Sequence, residues 1–515
     1  MPRWLGLGVV AMAMAALLGA CGGEGEGATP AATGAATVAG TAAPAATPSP
    51  APRGLGKLAF ERDGDIWALD LDSGQEHQLT DDGGSVRPSW SADGGWLLFY
   101  KKPTGAPWVV RQDGSGAWVV DAEEVQLATW SPGGHRLAYV TQDGALSVVD
   151  ADGGERVELL PGGHEFDGAA WSPDGKRLAA WGRIEGGLSD AAQDGALWVV
   201  DVDGRNPVQL LPPGDEPARV AWSPDGKRLA IERWIRAKEL TPPPIPTVDQ
   251  GIWLMNADGS GLTKLYGPYR QHFDGKVGEY GGPVEHLRGW SPDGKGITFW
   301  QAPLVCNSCW FDGMPLLALP TEGGDPRELA SWAFLSSELV AWSAQGDRLA
   351  IVEGAGRYMW VNKQIVVMRP DGSDRRVLSD PGRADLFPAW SPDGKRIAFV
   401  GMEEAKETAP ERHPTVLRTR RIWSMNSDGS DKRQLTDDPA YADQFPQWSG
   451  DGSHILFVRQ PADAIEQGRE EPIPVEIWLM KADGSEQRAV GTGPSTVWFG
   501  YYGYTDWSQI LDWRR

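Results

Sequence analysis

At 515 residues the chain is too long for one ordinary compact core, so it must divide into domains or a repeat array. A formal charge of −22 and a pI near 4.8 give an acidic surface that repels phosphate backbones, which excludes nucleic acid as a partner. The 66 Gly and 40 Pro predict many turns, and 26 Trp is a high count that any fold must accommodate.

Residues 1–20 read as a signal peptide. Arg3 supplies a positive start, and Trp4–Leu18 is apolar but too short to span a bilayer. The run ends Leu18-Gly19-Ala20-Cys21, which resembles the lipobox of bacterial lipoproteins. That resemblance implies cleavage before Cys21, lipidation of its thiol and an extracytoplasmic, membrane-anchored location in the bacterial envelope. At ~0.8 kcal/mol per buried CH₂, two acyl chains anchor stably where one does not. Ordinary secretion, with Cys21 a bystander, is the alternative. Residues 21–56 follow as a tether of mostly Ala, Gly, Thr and Pro, with too few large apolar side chains to offset the entropy of ordering.

A repeat begins beyond the tether. AWSPDGKRLA stands at Ala170–Ala179 and again at Ala221–Ala230, with near-copies at Gly289–Thr298 and Ala389–Ala398. Aligned on Trp-Ser, the units open at Trp90, Trp130, Trp171, Trp222, Trp290, Trp342, Trp390 and Trp448, and Trp507 opens a truncated one. Ser-Pro-Asp-Gly between short apolar runs predicts a β-hairpin. A second hairpin follows in each unit, as in IWLMNADGSGLTKL at Ile252–Leu265, with Asp-Gly at its turn. Nine such second hairpins start near Ile66, Trp108, Leu146, Leu197, Ile252, Leu316, Ile365, Ile422 and Ile477. The repeated Trp and the turn Asp are expected to be framework, the first as packing and the second as turn residues rather than calcium ligands.

WSPDGKRIAF at Trp390–Phe399 followed by IWSMNSDGSDKRQLT at Ile422–Thr436 resembles the TolB-type propeller repeat, which also occurs in prolyl-oligopeptidase-like enzymes. The resemblance extends over Leu58–Trp513. It implies an all-β fold: a single closed β-propeller of four-stranded antiparallel blades over residues 57–515, nine by repeat count, with eight as the alternative because propellers usually have about four to eight. The first unit begins at Lys57-Leu-Ala-Phe60 and lacks its Trp strand, and Tyr504–Ser508 offers one without a partner. The C-terminal strand is therefore expected to complete the first blade and remove its exposed edge.

Strand alternation puts both kinds of tight turn on one face. The long connections fall on the other: Gly182–Asp194, Ile235–Gln250, Gln301–Met314, Gly354–Lys363, Met402–Arg420, Pro461–Val475 and Tyr266–Arg288. Long connections in compact domains are functional or disordered, so this elaborated face is the candidate binding face. Two of its insertions flank one Trp-Ser hairpin and gather Tyr269, His272, Phe273, Tyr280, His286, Trp310 and Phe311, which suit a protein or carbohydrate surface or pack under their own loops. The basic run Glu411–Arg421 is expected to be a solvated loop. Cys306 and Cys309 are expected to form a disulfide that staples one insertion, since a redox site would need a βαβ context and a zinc site two further ligands.

No G-x-S-x-G, H-E-x-x-H or P-loop occurs. No catalytic residue, metal or other cofactor is assigned. The expectation is a monomeric propeller that binds another protein, with carbohydrate second and the membrane engaged through the lipid alone. The alternative is a hydrolase or lyase acting on peptide or glycan at the channel.

Overall fold

The computed structural model describes residues 54–160, 164–182, 196–211, 215–235, 249–267, 283–303, 313–334, 336–405, 415–463, 475–493 and 503–514. Within them the fold is all-β, with short helical turns besides. The strands form seven four-stranded antiparallel sheets and one of eight, which narrows to a single bridge at Ala333 and Glu353. Strands follow one another in chain order within each sheet, as a meander must, except in the first, which takes its last strand from the C-terminus.

The second strand of each unit is apolar almost without a break: Leu97, Leu98 and Phe99 in one, Ile455, Leu456 and Phe457 in another, all buried. Such runs belong to strands covered on both faces, and here successive sheets pack on one another. The Ser-Pro-Asp-Gly turns line up side by side. A Cβ on Gly226 would meet Pro173 at 3.6 Å, and one on Gly294 would meet Pro224 at 3.6 Å. Each turn is closed by its own side chains: Ser172 donates to Asp174, Ser223 to Asp225 and Ser291 to Asp293, all at 2.6 Å. These bonds account for the turn Asp.

The repeated Trp joins neighbouring sheets. Trp130, Trp171, Trp222, Trp290, Trp390 and Trp448 donate their indole N–H to the carbonyls of Ser89, Thr129, Ala170, Ala221, Ala341 and Ala389 at 3.0–3.2 Å. Each acceptor is the residue just before the repeated Trp of the preceding unit. A second recurring contact lies at the other end of the sheets, where a cation sits over the Trp that opens the third strand. Arg62 lies 3.5 Å from Trp67, Lys101 4.0 Å from Trp108, Arg459 4.2 Å from Trp478 and Arg233 4.6 Å from Trp253.

The first sheet is completed from the C-terminus. Lys57–Phe60 pairs antiparallel with Leu511–Arg514. The expected strand at Tyr504–Ser508 is corrected: Trp507–Gln509 is a 3₁₀ turn, and the strand follows it. Trp513 pairs with Leu58 as Trp390 pairs with Ile397, so Trp513 holds the repeat position. The Ser-Pro-Asp-Gly half of the motif builds the turn into the second strand. In the first sheet that second strand is Lys57–Arg62, which no turn joins to Trp513, so the Trp carries no Ser after it. One hydrophobic cluster contains Leu58, Phe60 and Trp513 from the first sheet with Phe457 and Ile477 from the last.

Candidate binding face

Strands on the elaborated face run further than the repeat predicts. Arg228–Ile235 pairs with Asp249–Asn256, and Pro283–Trp290 pairs with Gly296–Pro303. His286 therefore lies on a strand opposite Trp300, not in a loop. Of the anticipated contact residues only His286 is described. Tyr269, His272, Phe273, Tyr280, Trp310 and Phe311, with Cys21, Cys306 and Cys309, lie outside the described residues.

His286 anchors a polar cluster between two sheets. Its Nδ1 is 3.5 Å from Glu232, and the Arg219 guanidinium lies 3.8 Å from the same carboxylate. The Leu287 N–H also donates to Glu232 at 2.9 Å. Burial alone would raise the Glu232 carboxyl, but His286, Arg219 and that N–H outweigh it and hold the group below its ordinary range. Glu285, on the same strand as His286, goes the other way: burial, with the Glu232 charge adding to it, pushes its carboxyl up to about 7. Nearby, Gln301 donates to the Tyr266 hydroxyl at 3.1 Å. Two carboxyls driven apart in this way can hold and release a proton near neutrality. Both are buried, so their direct effect is on the roots of the insertions that leave these strands.

Glu232 and Glu285 were not anticipated. The signal was present for Glu232, which interrupts Leu229-Ala-Ile231 where the equivalent strand reads Ile397-Ala-Phe-Val400. Glu61 occupies the same register, and its carboxylate accepts the Arg87 N–H at 2.6 Å. In both sheets a second-strand glutamate therefore caps a backbone N–H on the next sheet.

Elsewhere this face is covered by the chain itself. Trp360, Leu417 and Trp507 are fully buried in a cap formed by three connections. In the described part of the basic run Arg418 is exposed, as a solvated loop requires, but Arg420 is not. Arg420 is completely buried and donates to Gln444 at 2.7 Å and to the Gly503 carbonyl at 2.6 Å. It satisfies acceptors that water cannot reach, which net charge in sequence does not reveal. Among the described residues no group of three or more His, Cys, Asp or Glu could hold a metal ion. Nor is any described helix long and apolar enough to cross a membrane.

No family model matches the chain. It is 32% identical over 270 residues to an uncharacterized protein of Agrobacterium fabrum, across 51% of this chain and 72% of that protein. It is 34% identical over 183 residues to the Tol-Pal system protein TolB of Anaeromyxobacter dehalogenans, across 34% of this chain and 35% of TolB. The chain belongs to the TolB-like β-propeller family. This TolB-like chain is also 30% identical over 105 residues to an uncharacterized peptidase of Bacillus subtilis, but spans only 14% of that protein. A crystal structure of a eukaryotic initiation factor shares its fold, with a TM-score of 0.51 at 11% identity, over 84% of this chain and 96% of that one.

Proposed function

We propose that this TolB-like protein is a lipid-anchored, extracytoplasmic module that binds a protein partner through its elaborated face, as a scaffold in an envelope complex. The observation that carries this reading is the division between the two faces. Tight turns closed by their own Ser and Asp side chains occupy one, while every long connection leaves from the other. The match to a Tol-Pal system protein supports the envelope setting. We take the sheets to close into a nine-bladed ring, with the eight-stranded sheet counted as two blades. The pairing of Lys57–Phe60 with Leu511–Arg514 supports closure.

A hydrolase or lyase at the channel is the second reading, favoured by the Glu285 carboxyl near neutrality beside Glu232. Binding is preferred because both carboxyls are enclosed by their own sheets. The test places a photo-crosslinking residue at His272 or Trp310 on the elaborated face, or at the exposed Lys227 or Lys395 of the turn face, in the anchored protein. Adducts with one protein from the first pair alone are expected. Adducts from the turn face alone would reverse the assignment.

A further inference from the structure

The segment Gly503–Ile510, just before the closing strand, grips parts of the chain far from it in sequence. The Gly503 carbonyl accepts from the buried Arg420, which Gln444 holds from the other side, and Gln444 in turn donates to Gln460 at 2.8 Å. Gly503 has φ +76, and a Cβ there would come within 3.0 Å of the Trp360 ring, so the backbone lies directly on that indole. The Tyr504 ring stacks on Phe387 with centroids 5.9 Å apart and planes at 11°. Its hydroxyl bonds to Ser336 and donates to Glu338 at 2.9 Å. The other Glu338 oxygen accepts the Ser508 N–H at 2.9 Å. The segment then delivers its chain to the first sheet, where the Glu61 N–H donates to the Ile510 carbonyl at 3.0 Å.

We propose that Gly503–Ile510 is a proton-sensitive clasp that fastens the closing strand, with the acid form of Glu338 as its latch. Glu338 is half-buried at the edge of a cavity, accepts from both Tyr504 and Ser508 of the clasp, and meets no cation among its described partners. Facing it are Tyr504 and Asp506 from the clasp and Ser336 from its own turn, and Asp512 of the closing strand lines the same cavity of about 280 Å³. Burial, with the Asp506 charge adding to it, raises the Glu338 carboxyl well above the ordinary range, while Tyr504 and the Ser508 N–H lower it less. A carboxyl raised in the clasped state binds its proton more tightly there. The clasp is therefore firmest below the ordinary carboxylate pKa of 4.5 and weakens as pH rises towards the raised value. The proposal uses the observed pairing of the closing strand and is independent of the partner-binding reading.

The test is backbone amide exchange at Leu58–Phe60 and Leu511–Arg514 in the full chain, corrected for intrinsic rates, from about pH 4, below the ordinary carboxylate value, to about pH 9. Wild-type protection of these strands should fall about tenfold or more across that range, while the turn-face hairpins keep theirs. Glu338→Gln should abolish the pH dependence. Wild type and Glu338→Gln are both compared in a Glu61→Gln background, because burial raises the Glu61 carboxyl to about 7 and the Glu61 N–H pairs with Ile510 beside the strand being read. A Glu338→Gln protein that tracks wild type, or a wild-type closing strand indifferent to pH, would overturn the proposal. If Glu338→Gln does not fold, Asp506→Asn carries the test. Removing that charge should move the transition to lower pH and shrink it, and an unmoved transition would count against the latch.

Discussion

A side chain repeated along the chain tends to do the same work each time, and the tryptophans illustrate it. The indole of Trp390 is buried and donates to the Ala341 carbonyl at 3.1 Å, so it fills the gap between two sheets and also satisfies a polar group there. Trp390→Ala should cost about 3–5 kcal/mol as a large core truncation. Trp390→Phe keeps most of the apolar surface but strands the Ala341 carbonyl, and should cost about 1–3 kcal/mol. Denaturant unfolding of both variants checks the order, and a Phe variant as unstable as the Ala one would mean that the hydrogen bond outweighs the packing. The glutamates depend more on context. Glu232 is held ionised by His286 and Arg219, and Glu285, three residue positions from Arg288 on the same strand, is pushed towards neutrality by burial.

At the scale of the element, the first sheet is the exceptional one. One of its edge strands comes from the opposite end of the chain, with Trp513 donating its indole N–H to the Leu55 carbonyl at 2.8 Å and Asp512 accepting the Trp90 N–H at 2.7 Å. Truncation after Ile510 removes the strand and leaves Lys57–Phe60 with unpaired N–H and C=O groups. Exposed edges of this kind template strand addition. The truncated protein should melt at lower temperature and elute as dimers or larger species on size-exclusion chromatography. An unchanged melting curve with a monomeric profile would show that the pairing contributes little. The repeat explains why Trp507 is the wrong candidate for this strand: Trp-Ser marks a turn into the next strand, and the closing strand makes none.

For the whole molecule, the proposed anchoring rests on the lipobox-like sequence at Cys21 and the expected tether that follows it. In the proposed function, the expected tether of residues 21–56 lets the folded body approach a membrane surface without inserting. Cys21→Ser should move the protein from the membrane fraction to the soluble one, or leave it unprocessed. Fractionation of cells expressing either form decides this, and a processed variant still sedimenting with membranes would refute the anchor.

The periodic part of this protein was legible from sequence alone. Turn chemistry and apolar runs are local, so Ser-Pro-Asp-Gly and Asp-Gly-Ser between β-prone segments were enough to place the hairpins, and strand alternation was enough to sort tight turns from long connections. The candidate site was far less legible. His286 was picked out as one aromatic or imidazole among several on long insertions. Its place on a paired strand, and its glutamate partner 54 residues earlier, depend on two sheets meeting. Arg420 looked solvated because a run of cations in sequence says nothing about which of them faces a buried carbonyl. Only the tertiary structure decided that Trp513, and not Trp507, completes the first sheet, and that Tyr504 meets Glu338 across 166 positions of chain. The physical reason is the same throughout: a turn is specified by neighbours in sequence, whereas burial, pKa and inter-sheet hydrogen bonds are set by whatever packing brings together.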